Sequence, residues 1–399
     1  MVGISKAVVL IIDGASGWPC AALEGRTALE AARTPHLDDL ARHGLVGMVS
    51  HVPAGMEPSS AVACMSVMGF DPRKYYAGRG PIEAAAMGIE LEPDQVALRC
   101  NLVTVEDGRM VSYSAGNISS AESAELIASL QEALGDERAS FRAGVGFRHI
   151  LTVRRGRELA ETRFTPAHDL SDRPLAEGLP EGPGAAYALE LMERSKAVLA
   201  DHPVNKARRA QGKPPATQIW LFWPGLKAAG MPDFGGLHGG RRAALTSPVD
   251  LLRGLAVLTG IDVLSIPGVT DGNDNDYWAQ MAGALTALAD HDVVLVHVEA
   301  PDEAGHQGDA AAKVRAIEQV DALMIPQVLE RATEGLRLLV LPDHPTPLEI
   351  KTHVAEPVPF LMWGPGFTGN GARAYTEAEA RATGFAVAPG HSLLSRFLA

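Results

Sequence analysis

The sequence predicts an α/β protein in which a parallel sheet flanked by helices is interrupted by an α+β insertion. Three observations carry this. The chain opens on VVLIID, a continuously apolar, β-branched run with the texture of a parallel strand covered on both faces. From about residue 241 helix and strand patterns alternate regularly. Between these two regions hairpins and helices mix, as in an α+β block. At 399 residues the chain exceeds what one core usually holds. Residues 1–88 and 241–399 are therefore expected to form one discontinuous domain, with 89–240 inserted into it.

After VVLIID, the run ALEAARTPHLDDLARHG reads as two helical pieces, with Thr34-Pro35 as N-cap and first turn and Gly44 as stop. The loop HVPAGMEPSS leads into a helix, AVACMSVMGF. In the insertion, ALRCNLVTVEDGRMVSYSAG reads as a hairpin turning at Asp107-Gly108. SSAESAELIASLQEAL is a helix capped by Ser119 or Ser120, and GFRHILTVRRG is a strand. DRPLAEGLPEGPGAA is a loop, AYALELMERSKAVLADH a helix and TQIWLFWPG a strand. The returning βα rhythm pairs VDLLRGLAVLTG with DVLSIPG and YWAQMAGALTALADH with DVVLVHVEA. The long helix AAKVRAIEQVDALMIPQVLERATEG precedes LRLLVLPDH, and VPFLMWG is a last short strand.

Composition narrows the function classes. Net charge is −13 without a long basic cluster, which argues against nucleic acid as a partner. An acidic protein that handles phosphates must gather positive charge locally, in metals and a few arginines. Cys20, Cys64 and Cys100 are odd in number and lack CxxC spacing, which fits a reducing cytoplasm and no disulfide framework. The first apolar run is too short and too polar for a signal peptide or membrane span, so no membrane partner is expected.

Four short segments concentrate metal-binding side chains. They hold Asp13 in VVLIIDG, Asp302 and His306 in APDEAGH, Asp343 and His344 in LLVLPDHPTP, and His353 in KTHVAEP. Three of these segments begin as apolar strand-like runs, and ligands of open α/β sheets collect beyond the carboxyl ends of strands. Hard carboxylates mixed with imidazoles suit divalent Mn, Zn, Mg or Co. Asp302 and His306 are four apart and would share one helix face, and the adjacent Asp343 and His344 can serve two ions. Two ions about 4 Å apart would clamp the attacking and leaving oxygens of a phosphoryl transfer. Such a site needs a water or a hydroxyl as nucleophile, and Ser60 in GMEPSSAVACMSVMGF is the candidate. The competing reading is that Ser59 or Ser60 merely caps the helix.

The chain resembles the archaeal-type cofactor-independent phosphoglycerate mutases of the alkaline phosphatase superfamily, which include bacterial members once proposed as homoserine kinases. The likeness runs nearly end to end. It is carried by GRTALEAARTPHLDDLARHGLVG, GFDPRKYYAGRGPIEAAAMGI, RCNLVTVEDG, SYSAGNIS, GVGFRHIL, DHPVNKARRAQGKPPA, VHVEAPDEAGHQGD, LPDHPTP and EPVPF. The resemblance implies an alkaline-phosphatase-like sheet domain, an inserted transferase-type domain and a site in the cleft between them. Ser60 falls where that family carries its phosphorylated nucleophile. Asp302, His306 and His353 match one metal site, and Asp13, Ser60, Asp343 and His344 match the other. The implied reaction transfers the phosphate of 3-phosphoglycerate to Ser60 and returns it to the other hydroxyl, giving 2-phosphoglycerate. Arg148 and Arg208 are the expected substrate ligands, with His168 or Asp169 as proton shuttle. Phe147, Trp18, Trp220 and Trp223 line the cleft or belong to the core.

Departures from the family pattern cluster around the substrate side. Gly17-Trp18 stand where the family has Asp-Arg, and Ala61 and Cys64 where it has Asp and Asn. Gln280 replaces a Lys, the Gly-Ala-Thr-Gly segment is Gly268-Val269-Thr270-Asp271, and WLWGxG has become Trp220-Leu221-Phe222-Trp223-Pro224-Gly225. These changes motivate an alternative: a metal-dependent phosphohydrolase, or a phosphotransferase of the homoserine-kinase kind, acting on another small phosphorylated metabolite. A non-catalytic relative is disfavoured by the intact ligand set.

Overall fold

The computed structural model describes residues 6–331 and 335–399. Contacts divide the chain into two compact units, residues 1–76 with 230–399 and residues 77–229. The first division lies before the expected 88/89, because the helix Arg79–Ala86 packs on strands of the inserted unit. The second lies before 240/241, because Phe234 N–H donates to Thr259 O and His238 Nε2 lies 3.0 Å from Met68 O, both within the first unit. The first unit opens with β1 (Ala7–Ile12) and β2 (Leu45–Val49). The second holds β3 (Val96–Glu106), β4 (Arg109–Ser112), β5 (Ala139–Arg142), β6 (Arg148–Val153) and β7 (Gln218–Leu226). The first resumes with β8 (Ala243–Thr246), β9 (Asp262–Val263), β10 (Val293–Val298), β11 (Arg337–Leu341), β12 (Val358–Trp363) and β13 (Ala386–Val387).

The first unit is built on an eight-stranded sheet in the order β13-β2-β12-β11-β1-β10-β8-β9. From β11 to β9 every pairing is parallel, as the buried apolar runs predict. β12 is the exception: it runs antiparallel to both β11 and β2, so the sheet is mixed rather than wholly parallel. Every residue of β1 and β10 is buried, with Leu10, Val296, Val340, Met281 and Ile317 in one core.

Local chemistry explains the details. Pro35 does open the helix Pro35–His43, but the Thr34 side chain makes no capping bond. The buried carboxylate of Asp321 caps it instead, accepting from His36 N–H at 3.3 Å and Leu37 N–H at 2.7 Å. The expected long helix runs as Ala310–Gln319, a π-turn over Val320–Met324 and Ile325–Glu330. Pro326 lacks an N–H, and the hydrogen-bond ladder shifts register just ahead of it. The last residues of that prediction, 332–334, lie outside the described residues.

The second unit is an antiparallel sheet centred on β3, which pairs with β4, β6 and β7, while β5 adds to β6. The predicted turn holds: Asp107 and Gly108 have φ of 48° and 72°, the left-handed geometry of a tight hairpin. The helices Ser120–Leu134 and Ala185–Ala200 cover the core of this sheet, with Leu126, Leu130, Leu191 and Trp220 inside it. Ser119 is the cap of the first, in a reciprocal capping box with Glu122. Among the described residues no helix is long and apolar enough to cross a membrane.

Candidate metal centre and active site

The adjacent strands β10, β1 and β11 are parallel and in register, with Ile12 beside Val298 and Ile11 beside Leu341. Their carboxyl ends therefore finish at one level, and the chain leaves each into a predicted ligand segment. Asp13 follows β1 directly, and Asp343 and His344 follow β11. Asp302 and His306 lie on the helix Ala300–Gln307 that starts after β10. Gly14 has φ +61° and lies so close to Asp302 that a Cβ there would meet Oδ1 at 2.4 Å. Only glycine lets the turn after β1 pass that near to the acid.

These groups converge. His344 Nε2 lies 3.2 Å from Asp343 Oδ2 and 3.7 Å from Asp13 Oδ1. His306 Nε2 lies 3.1 Å from Asp302 Oδ2, and His353 Nε2 lies 3.5 Å from Asp302 Oδ1. The His344 and His353 rings stack at 3.9 Å. Ser60 opens the helix Ser60–Val67, and its Oγ is 3.1 Å from His344 Nε2. Capping falls to Ser59, whose side chain accepts from Val62 N–H. Ser60 is thus left facing the ligand cluster, and the capping alternative applies to its neighbour.

Three sets of side chains bring ligand atoms within 4.8 Å of one another: Asp13, Asp343 and His344; Asp302, His344 and His353; and Asp13, His297 and Glu299. In the second set His344 stands beside Asp302 and His353, and His306 Nε2 lies 2.9 Å from His353 Nε2. Asp13 is fully buried, and among the described residues its Oδ1 has no hydrogen-bond partner. An orphaned carboxylate oxygen beside imidazole nitrogens that point at one another is the arrangement a divalent cation satisfies. The residues present fit the expected metal ions, by donor type and by convergence.

The electrostatics are those of crowded buried carboxylates. Burial, then the charges of Asp343, Glu299 and Asp302, push Asp13 well above the usual carboxylate range. Glu299 is pushed up to about 8 by burial and by Asp302. Burial opposes the charge on Asp302 too, but hydrogen bonds from His306 and His353 outweigh it and hold that group well below its ordinary value. His306 is correspondingly raised to about 9, chiefly by its bond to Asp302. Positive charge placed among these groups would relieve their mutual repulsion.

The predicted residues of the second unit divide. His168 and Asp169 are exposed neighbours, with Nε2 and Oδ1 3.6 Å apart. Arg148 is exposed, its guanidinium 4.8 Å from the Phe147 ring centre. Arg208 is different: it is 2 % exposed and its donors are committed inside the unit. Nε donates to Pro214 O at 2.9 Å, Nη1 to Glu122 Oε2 at 2.9 Å and Nη2 to Ala115 O at 2.6 Å. That geometry makes it a strut of the fold and not a substrate ligand. Arg208→Ala is expected to lower stability by about 2–4 kcal/mol in chemical denaturation, since it strands buried acceptors. A loss below about 0.5 kcal/mol would contradict the structural role.

Comparison with known proteins places the chain in a family. The family model described as 2,3-bisphosphoglycerate-independent phosphoglycerate mutase matches residues 41–205. A protein of that name from Methanothrix thermoacetophila is 44% identical over 397 residues, spanning 99% of this chain and 100% of the relative. The chain belongs to the 2,3-bisphosphoglycerate-independent phosphoglycerate mutases. A probable mutase from Geobacter sulfurreducens is 43% identical over 98% of this chain and 99% of its own length. Among solved structures, a Pyrococcus horikoshii protein matches with a TM-score of 0.83 at 27% identity, covering 99% of this chain and 96% of that one. A cofactor-independent phosphoglycerate mutase from Thermoplasma acidophilum matches with 0.70 at 25% identity, covering 99% of both chains.

Within this mutase-family chain, the residues that break the family pattern are engaged in the fold. Gln280 is buried, donates to His297 O at 2.9 Å and accepts from Asn275 at 2.9 Å. Cys64 Sγ donates to Asp343 Oδ2 at 3.5 Å. Trp18 Nε1 donates to Glu356 Oε2 at 3.1 Å. Gly17 N–H and Ser16 Oγ both donate to the buried carboxylate of Glu377. Sequence reasoning missed His297 and Glu299. His297 Nε2 is 2.7 Å from Asp13 Oδ2 and 3.5 Å from Glu299 Oε2, and its Nδ1 is 3.0 Å from Ser247 Oγ. The available signal was a His inside the otherwise apolar run DVVLVHVEA, with an acid just past the strand end.

Proposed function

We propose that the protein interconverts 3-phosphoglycerate and 2-phosphoglycerate through a phosphoserine on Ser60, at a site holding two divalent metal ions. The observation that carries this reading is Ser60 Oγ set 3.1 Å from His344 Nε2, inside a cluster of otherwise buried carboxylates and imidazoles. Asp13, Asp343 and His344 would hold one ion and Asp302, His353 and His306 the other, with Mn, Zn, Mg and Co all acceptable to such donors. When bound, the ions supply charge neutralisation and a lowered hydroxyl pKa.

The chain's own residues supply the rest. Ser60 Oγ gives up its proton and forms the bond to phosphorus, while the ester oxygen of 3-phosphoglycerate departs and takes up a proton. The helix N-terminus at Ser60 favours the dianionic group beside it. The neighbouring hydroxyl of the retained glycerate then loses its proton and attacks the phosphoserine, and Ser60 Oγ leaves phosphorus and takes up a proton. Asp13, Asp343 and His344 are almost wholly buried, which favours keeping water from the phosphoserine between the two transfers. His168 or Asp169 as proton carrier and Arg148 as anion ligand are proposed from the family resemblance.

Acid quenching during turnover, followed by peptide mass spectrometry, is expected to find phosphate on Ser60. Steady turnover with no modification at that residue would sink the mechanism. Hydrolysis, or transfer to an added alcohol, is the second reading. It rests on the neutral Gln280 and Ala61 standing where charged groups were expected.

A further inference from the structure

In the second unit, glycines on either side of Arg79 bring its backbone against a bulge in the sheet. The β3–β7 pairing slips between Ala97 and Arg99, and opposite that slip Trp223 has φ +50°. A Cβ on Gly78 would meet Pro224 O at 2.3 Å, and one on Gly80 would meet Ala97 O at 2.2 Å. The chain can lie this close only without side chains at those two positions. The result is that Arg79 sits over Trp223, its guanidinium carbon 4.0 Å from the ring centre. Bulges and left-handed non-glycine residues of this kind concentrate at functional sites.

The charges around it do not cancel. Glu83 accepts from Arg79 Nε at 2.8 Å and also from Arg99, so one buried carboxylate faces two guanidinium groups. Arg99 is almost buried and lies 5.5 Å from the same Trp223 ring. Arg79 is held by its Nε and by the indole face, yet among the described residues its Nη1 and Nη2 have no hydrogen-bond partner. The His168 ring completes the cluster, 5.7 Å from Trp223. An immobilised guanidinium with a free edge, backed by a second one, matches a carboxylate or phosphate in bidentate geometry.

We propose that Arg79, braced by Trp223 and backed by Arg99, is an oxyanion-binding residue of the inserted unit that accepts the carboxylate or phosphate of a small metabolite. That the metabolite is a phosphoglycerate rests on the mutase reading, whereas the oxyanion site itself does not.

The test uses the full chain, with metal ions and after chelation, titrated with inorganic phosphate and with glycerate by calorimetry. Binding of at least one probe is expected to survive chelation and to weaken at least tenfold in Arg79→Ala. Arg142→Ala, which changes an exposed arginine of the same unit, should stay within threefold of wild type. Arg79→Ala leaves Glu83 paired with Arg99, so the variant should fold. Arg79→Lys, which keeps the charge but loses the planar fork, should bind several-fold more weakly and serves if the alanine variant does not fold. Retention of phosphate alone marks a phosphoryl site, and retention of glycerate marks a carboxylate site. The proposal is overturned if no binding survives chelation, or if folded Arg79 variants bind both probes as wild type does. Because no turnover is measured, either result is independent of whether Ser60 carries phosphate.

Discussion

Ser60→Ala is expected to abolish conversion of 3-phosphoglycerate while leaving the protein folded. A loss of at least about 10⁴-fold in kcat/KM is expected, the scale seen when a covalent nucleophile is removed. The stability cost should stay within about 0.5 kcal/mol, because Ser59 and not Ser60 caps the helix. The neighbouring change gives the converse. Ser59→Ala removes the cap and should cost about 1 kcal/mol while retaining most of the activity. Two adjacent serines thus separate structure from chemistry in one experiment. Measured rates and denaturation midpoints for both variants decide it, and an active Ser60→Ala enzyme would remove Ser60 from the mechanism.

Stripping divalent metal is the second large effect. Asp13, Asp302, Asp343 and Glu299 are crowded at the ends of β1, β10 and β11, with His306 bonded to Asp302 and the buried Lys313 close to Asp302 and Asp13. Burial pushes that lysine down to about 8, and its Nζ is spent on Thr346 O at 2.6 Å and Ser16 O at 3.4 Å. Ions bound there would therefore stabilise the native state over the unfolded one. At a hundredfold excess over Kd each contributes about 2.7 kcal/mol. For a domain of this size that raises Tm by roughly 5–10 °C per ion. Chelation should lower Tm by at least that much and reduce turnover to background, and returning one of Mn, Zn, Mg or Co should restore both. An unchanged melting temperature after complete chelation would mean that the carboxylate cluster does not hold a metal.

The framework of the site was legible because parallel strands leave a clear trace. VVLIID and LRLLVLPDH are unbroken apolar runs ending in an acid, and the sheet sets those ends side by side. What stayed hidden depends on partners far along the chain. His297 sits in a strand that otherwise reads as core, and it becomes a candidate ligand only because β10 lies next to β1 and Asp13. Arg208 has the look of a surface helix arginine, and its burial comes from Pro214, Glu122 and Ala115. The cap on the Pro35 helix comes from Asp321, far beyond any local pattern. Strands β2, β5, β8 and β13 escaped the reading because they are short and lie beside stronger signals. The reversal of β12 has no local signature, since orientation is a property of the pairing and not of the strand. Arg79 was passed over because its role is set by two glycines and by a bulge on another strand.

The most direct test of the central claim is one incubation of metal-loaded protein with 3-phosphoglycerate, following 2-phosphoglycerate and free phosphate in the same tube. The proposed transfer through Ser60 predicts 2-phosphoglycerate with little or no phosphate. Phosphate as the main product, or no reaction at all, would contradict it and turn the same site towards hydrolysis or another acceptor.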